Sequence, residues 1–201
     1  MFGLPQNTIV NQTLTKKAFY EKFNLKTNER ERFDADISRM TIMAEISSNR
    51  IPALVKGKEI NSIYVLQVVL KRKEYDTKNI ILLHKLIPQK IVFALQYEGQ
   101  TQLCIFHTRL QQSVWMPTDE AAIPLQGLTL DNAWNNIVAT IGGFDAEAEE
   151  TLEVQIINRE QQEKLLRQIE SLEKRARAEK QTRKRYEMHQ QIVKLKEKLP
   201  L

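Results

Sequence analysis

One cysteine cannot form a disulfide within its own chain, so whatever holds this protein together does so without that covalent link. That residue, Cys104, sits in the apolar run Leu103-Cys104-Ile105-Phe106 and reads as a buried strand thiol. Three histidines, His84, His107 and His189, lie far apart, and with one cysteine they cannot build a structural zinc site. Glycine is scarce too, at six residues, and its only adjacent pair is Gly142-Gly143. Phosphate loops, dinucleotide fingerprints and nucleophile elbows are therefore missing. No apolar run approaches the roughly 20 residues needed to cross a bilayer. The opening, Met1-Phe2-Gly3-Leu4-Pro5, lacks the basic and long apolar regions of a signal peptide. The expectation is a cytoplasmic protein that does not engage membranes.

What is present is a core and an appendage. The hydrophobic fraction of 42% in 201 residues supports one packed domain, and a charged fraction of 27% is ordinary for a folded chain. The charge is unevenly placed: residues 1–158 hold 17 Lys and Arg against 18 Asp and Glu, while residues 159–201 hold 13 against 7. The net charge of +5 thus belongs to the tail.

Residues 159–199 contain neither Gly nor Pro and carry a thin apolar stripe. Leu165, Ile169, Leu172 and Ala176 follow at helical spacing, and Met188, Ile192, Leu195 and Leu199 repeat it. So narrow a stripe must lie against another helix. The two sets are out of phase, which breaks the helix between about residues 177 and 185. A helical hairpin turning near residues 179–182, with Thr182 as a cap, satisfies this; a coiled coil between chains is the alternative. Leu165, Ile169, Leu172, Ile192, Leu195 and Leu199 are the expected partner-binding stripe, unless they face one another within a hairpin. Lys174, Arg175, Arg177, Lys180, Arg183, Lys184 and Arg185 face only Glu179 and form a candidate phosphate-binding cluster at the hairpin tip. Tyr186 stands there alone, so base stacking of the single-strand type is not expected.

The first 144 residues read as a small mixed sheet with flanking helices. Thr13 or Thr15 caps a short helix through Phe23, and Thr27 caps a second through Asp36. Met40, Ile42, Ala44 and Ile46 alternate with Arg39, Thr41, Met43 and Glu45, which predicts a strand with one better-buried face. Residues 47–61 read as loop, with an edge strand at 53–55. Residues 62–70 are almost continuously apolar, a strand buried on both faces. A helix capped by Asp76 or Thr77 and stopped by Pro88 follows, then a second apolar strand at 91–95. Together these predict a parallel, right-handed βαβ crossover. A turn at Glu98-Gly99 leads to an antiparallel strand at 103–108, a short strand at 114–116 and a helix at 131–141 ended by Gly142-Gly143.

Two groupings invite a chemical reading. Asp34, Asp36 and Glu45, with Lys71, loosely follow the order used by metal-dependent nucleases of the PD-(D/E)XK type, in which carboxylates hold Mg²⁺ and a lysine orients water. The motif itself is missing, because Gln67-Val68-Val69 supplies no acid at the required spacing. Gln67, the sole polar residue inside that buried strand, is expected to satisfy neighbouring groups or to face a partner. Lys71-Arg72-Lys73 with Lys78 lies at the carboxyl end of a parallel strand, where ligands of open α/β sheets bind or where a solvated rim lies.

Several segments are similar to a bacterial family, domain of unknown function 4391: the opening five residues, Phe33-Asp34-Ala35-Asp36-Ile37-Ser38-Arg39, Val65-Leu66-Gln67-Val68-Val69-Leu70-Lys71-Arg72-Lys73 and Leu86-Ile87-Pro88-Gln89-Lys90. The likeness extends over essentially the whole chain. It supplies no catalytic residues, and it implies genes placed beside helicases and DNA methyltransferases of restriction-like clusters. The combined expectation is a mixed α/β body (1–144), an acidic junction (145–158) and a basic amphipathic helical region (159–201). Such a protein would serve as a non-catalytic adaptor in DNA modification or phage defence. It would need no cofactor and would hold a helicase, a methyltransferase or a second copy of itself through the tail, with DNA backbone at the basic cluster. A divergent or degenerate Mg²⁺-dependent nuclease is the alternative.

Overall fold

The computed structural model describes residues 2–199; Met1, Pro200 and Leu201, at the outer ends of the expected regions, lie outside these. The chain divides into two units, Met1–Ala148 and Glu149–Leu201.

In the first unit, β1 (Ile9–Leu14) leads through α1 (Lys16–Phe23) and α2 (Thr27–Asp36) into β2 (Ile37–Ser47). The crossover follows as β3 (Ser62–Leu70), α3 (Thr77–Leu86) and β4 (Lys90–Tyr97). Then come β5 (Gln100–His107), β6 (Arg109–Gln112), β7 (Met116–Pro117) and α4 (Leu130–Gly142). Among the described residues these strands form one mixed sheet in the order β1-β2-β3-β4-β5-β6, with β7 beside β5. β3 and β4 are parallel, with Val65 beside Val92 and Leu66 beside Phe93. A tight turn at Glu98 (φ 43°) and Gly99 (φ 77°) reverses the chain into β5, as a two-residue hairpin requires.

Local chemistry sets the helix ends. Thr15, not Thr13, caps α1 by accepting from the Ala18 N–H at 3.3 Å. Asp76 caps α3 and Thr129 caps α4 in the same way. Gly143 (φ 64°) ends α4 in the left-handed conformation that glycine adopts without steric cost. Thr27 does not cap α2: it is already helical, Lys26 is the cap residue, and the Glu29 carboxylate reaches back to the Lys26 N–H at 3.0 Å.

The sheet departs from the sequence expectation at β2. Met40 pairs with Val68 and Ile42 with Leu66, but Ala44 pairs with Val65 and Ile46 with Ile63. The extra residue, Met43, forms a β-bulge, so Met40 and Ile42 lie on one face while Ala44 and Ile46 lie on the other. A strict alternation over residues 40–46 is thereby corrected. The expected edge strand at 53–55 is absent; Val55 makes one isolated bridge to Thr129. β1 is an addition to the expected set, and the strand placed at 114–116 is replaced by β6, slightly earlier, and the two-residue β7.

Helices lie on both faces of the sheet. On one, Phe19 of α1, Phe33 of α2 and Ile80 and Leu83 of α3 pack on Met40, Leu66, Val68, Phe93 and Leu95. Phe19 and Phe33 stack at 5.5 Å. On the other, α4 packs against β3, β5 and β6 and buries Trp134, Ile137 and Ile141.

The second unit is a helical hairpin of α5 (Leu152–Ala178) and α6 (Thr182–Lys196). Ile169 and Ala176 of α5 and Ile192 of α6 are buried together, with Leu172, Met188, Leu195 and Leu199 around them. Lys196 pairs with Glu173 across the two helices at 2.9 Å. α5 starts seven residues before residue 159, inside the stretch expected as a junction, because Thr151 caps it through the Val154 N–H. Thr182 is the first helical residue of α6 rather than its cap; the Glu179 carboxylate instead accepts the Gln181 N–H at 2.8 Å and tightens the turn.

Ile192→Asp puts a carboxylate into the buried cluster of the hairpin. Far-UV ellipticity should fall and protease cleavage within residues 149–199 should accelerate. Both tryptophans, Trp115 and Trp134, lie in the first unit, so their fluorescence should stay unchanged.

Candidate functional site

Of the residues weighed for metal-dependent cleavage, Asp34, Asp36 and Lys71 come together in the fold and Glu45 stands apart. Asp36 is fully buried at the end of α2. One carboxylate oxygen accepts the Arg72 guanidinium, Nε at 2.6 Å and a terminal nitrogen at 2.5 Å. The other accepts the Asp76 N–H and Asn79 Nδ2, each at 2.8 Å. Asn79 is itself buried and bonded to Arg32, accepting from its Nε at 3.2 Å. These four contacts use both oxygens of Asp36.

Asp34 accepts Lys16 Nζ at 2.7 Å and the Tyr20 hydroxyl at 2.8 Å. The Lys16 ammonium, more than the Tyr20 hydroxyl, holds the Asp34 carboxyl below its usual range. Burial, reinforced by Asp34, pushes the Tyr20 phenol well up. A carboxyl depressed on folding stabilises the protein above its ordinary titration range, and that contribution is lost as pH falls through the folded value. Lys71 reaches the Asp34 backbone carbonyl at 2.6 Å, not its carboxylate. Glu45, farther along β2, pairs with Arg50 at 3.6 Å. The fold therefore gathers Asp34, Asp36 and Lys71 but leaves Glu45 apart, and it answers each carboxylate with a cation or an amide. Among the described residues no three His, Cys, Asp or Glu side chains are grouped to hold a metal ion.

In the second basic grouping Lys71, Arg72 and Lys73 are engaged within the fold, and Lys78 is exposed at the start of α3. Arg72 serves Asp36, and Lys73 donates to Gln100 Oε1 at 2.6 Å with its ammonium over the Trp115 ring. Gln67 donates to Gln96 Oε1 at 2.5 Å, which satisfies a neighbour on the same sheet face.

One polar network escaped the sequence reading. The Tyr75 hydroxyl donates to Gln102 Oε1 at 2.8 Å, receives Gln112 Nε2 at 2.6 Å and lies 3.8 Å from Cys104 Sγ. Burial pushes the Cys104 thiol up to about 12. Tyr75 lies in a loop, so no spacing links it to the strands; the available signal was Gln102 and Gln112 recurring near an otherwise apolar strand. Of the histidines, His84 stacks on Phe106 at 4.1 Å, and burial, aided by Lys90, lowers its titration range. His107 accepts from Trp134 Nε1 at 3.4 Å.

The hairpin tip differs from these internally satisfied sites. Lys174, Arg175, Arg177, Lys180, Arg183, Lys184 and Arg185 are all exposed there. Lys174 pairs with Glu170 and Arg183 with Glu187, one turn away in each case. Arg175, Arg177, Lys180, Lys184 and Arg185 make no ion pair with another described residue. Arg175 and Arg177 suit the negative end of α5, but Arg183, Lys184 and Arg185 crowd the positive end of α6, where cations are disfavoured. No side chain caps α6, so its first backbone N–H groups also point outward without intrahelical acceptors. A concentration of positive charge and amide donors of this kind suits phosphate.

The expected partner stripe is partly spent on the hairpin itself. Ile169 and Ile192 are buried in its seam, while Leu165, Leu172, Leu195 and Leu199 stay half-buried. Leu172 and Leu195, flanked by Arg167 and Arg175, line a shallow groove of about 350 Å³.

A mixed α/β body followed by a basic helical hairpin is the class that this fold and these surfaces define. The chain matches the family described as Domain of unknown function (DUF4391) over residues 2–199, and it belongs to that family. No curated protein and no solved structure matches it.

Two measurements check the internal sites. Asp36→Ala removes the buried carboxylate of an ion pair whose Arg72 side chain is 56% exposed and strands the Asp76 N–H and Asn79, and denaturant unfolding should register a loss of about 2–4 kcal/mol. Cys104 should resist a thiol-specific disulfide reagent at mildly alkaline pH in the folded protein and react at the rate of an exposed thiol once denaturant is added.

Proposed function

We propose that this protein is a non-catalytic adaptor whose hairpin grips a macromolecular partner while its tip touches nucleic-acid backbone. The observation that carries the reading is the basic tip, where cations accumulate even at the helix end that disfavours them. A role in structure alone gives no reason for that placement; neutralising phosphate does. The half-buried Leu172 and Leu195 add an apolar strip that a partner helix would cover, flanked by basic residues that favour acidic neighbours. The partner proposed is a helicase or DNA methyltransferase of a bacterial modification or phage-defence system, or a second copy of the chain, and bond-breaking is left to that partner.

The test is binding to duplex DNA across a salt series. With Arg183, Lys184 and Arg185 changed to Glu, affinity at low salt should fall, and the slope of log affinity against log salt should shrink by about 3. An unchanged slope would reject phosphate contact at the tip. Ellipticity of the triple variant should match wild type, because the three side chains are exposed.

A further inference from the structure

The roof over one sheet face is incomplete. α1 is eight residues long, and α3 ends at Leu86 ahead of Pro88, so neither extends across the neighbouring parts of β1, β2 and β3. Between them lies a hollow of about 620 Å³ whose walls include Phe19 and Phe23 of α1 and Leu86 and Pro88 after α3, with Leu14 and Ile42 beneath. A second hollow of about 300 Å³ shares Leu14, Ile42 and Ile87 with the first and continues it toward Tyr64 and Ile91. Leu14, Phe23, Ile42, Tyr64 and Ile87 remain only half-buried as a result.

Three observations narrow the occupant. The volume lies in the range of small-ligand sites, which are mostly apolar with a few polar groups. Among the described residues Lys22 is the one charged side chain lining either hollow, and its ammonium folds to 5.5 Å from the Phe23 ring centroid. The neutral Gln12 and Gln89 supply hydrogen bonds. The neighbouring edge strand β1 bulges, with Asn11 at φ 53° and the register skipping between Ile9 and Gln12, which spoils it for pairing with an added strand. We infer that this groove binds a small amphipathic anion, its apolar body over Leu14 and Ile42 and its acidic head at Lys22. The lining residues all belong to the first unit, and the inference does not rest on the adaptor reading.

The full chain is titrated with 1-anilinonaphthalene-8-sulfonate, and the dye is then displaced with decanoate or decanol. Dye fluorescence should saturate at one equivalent, and decanoate should displace it. Ala18→Trp, which fills the groove from the exposed side of α1, should abolish the signal; Gln12→Trp repeats the block from β1 should the first variant unfold. Lys22→Gln should weaken decanoate about fivefold and leave decanol unchanged. Saturation untouched by both blocking variants would place the dye elsewhere, the basic tip included, and overturn the site. Equal weakening of decanoate and decanol would overturn the assignment of the head group. Co-sedimentation with phosphatidylcholine–phosphatidylglycerol vesicles without displacement by free decanoate would assign the groove to a lipid surface and also overturn it.

Discussion

A carboxylate shut away from water must be answered by the fold itself, and at Asp36 the answers come from a single stretch, residues 71–79, more than thirty residues along the chain. Arg72 and the Asp76 amide belong to the connection after β3, and Asn79 to the first turn of α3. The Asp36 carbonyl adds a fourth tie by accepting the Lys71 N–H at 2.7 Å. Because Asp36 is the last residue of α2 and Ile37 the first of β2, these bonds fix where the chain changes from helix to strand and where the crossover helix begins. The placement of α2 and α3 over the same sheet face follows from that joint, and so does the apolar packing beneath them. Hydrophobic burial drives the layer together without direction; the buried charge supplies direction.

Much of this body was legible in the sequence because its central elements obey one rule at a time. The run at 62–70 is apolar but for Ser62 and Gln67, Asp76 and Pro88 bracket a single amphipathic helix, and Gly143 marks a helix end. The misreadings fall where a local pattern is overridden by something remote. A strand such as β1 shows little alternation because it is an edge with three consecutive exposed residues, Asn11, Gln12 and Thr13. The bulge at Met43 is invisible to periodicity, since Met40, Ile42, Ala44 and Ile46 would alternate equally well in a flat strand. The role of Asp36 was hidden for a different reason. Charge in a sequence looks solvent-facing until its partners, more than thirty residues away, are known.

The hairpin shows the complementary case. Its heptad-like spacing revealed the helices and the break between them, and the seam residues Ile169, Ala176 and Ile192 form the contact that the spacing implied. What spacing could not apportion was the division of one stripe between two uses. A pair of helices buries only the centre of its contact and leaves the flanks half wet, so Leu172 and Leu195 stay available while Ile169 and Ile192 do not. At the tip the charges obey no packing constraint, unlike the charges around Asp36.

The bulge in β2 has a bearing on how this chain tolerates change in length. Just upstream of Met43 the even-numbered Met40 and Ile42 serve the layer roofed by α1–α3; just downstream the even-numbered Ala44 and Ile46 serve the opposite face of the sheet, the one on which α4 packs. The strand thus works as a parity switch, supplying two cores in succession. Losing that single residue would leave Ala44 directly after Ile42 and still opposite Val65, so both cores would keep their side chains, whereas a one-residue insertion or deletion elsewhere in the strand would turn one of the two sets to the wrong face.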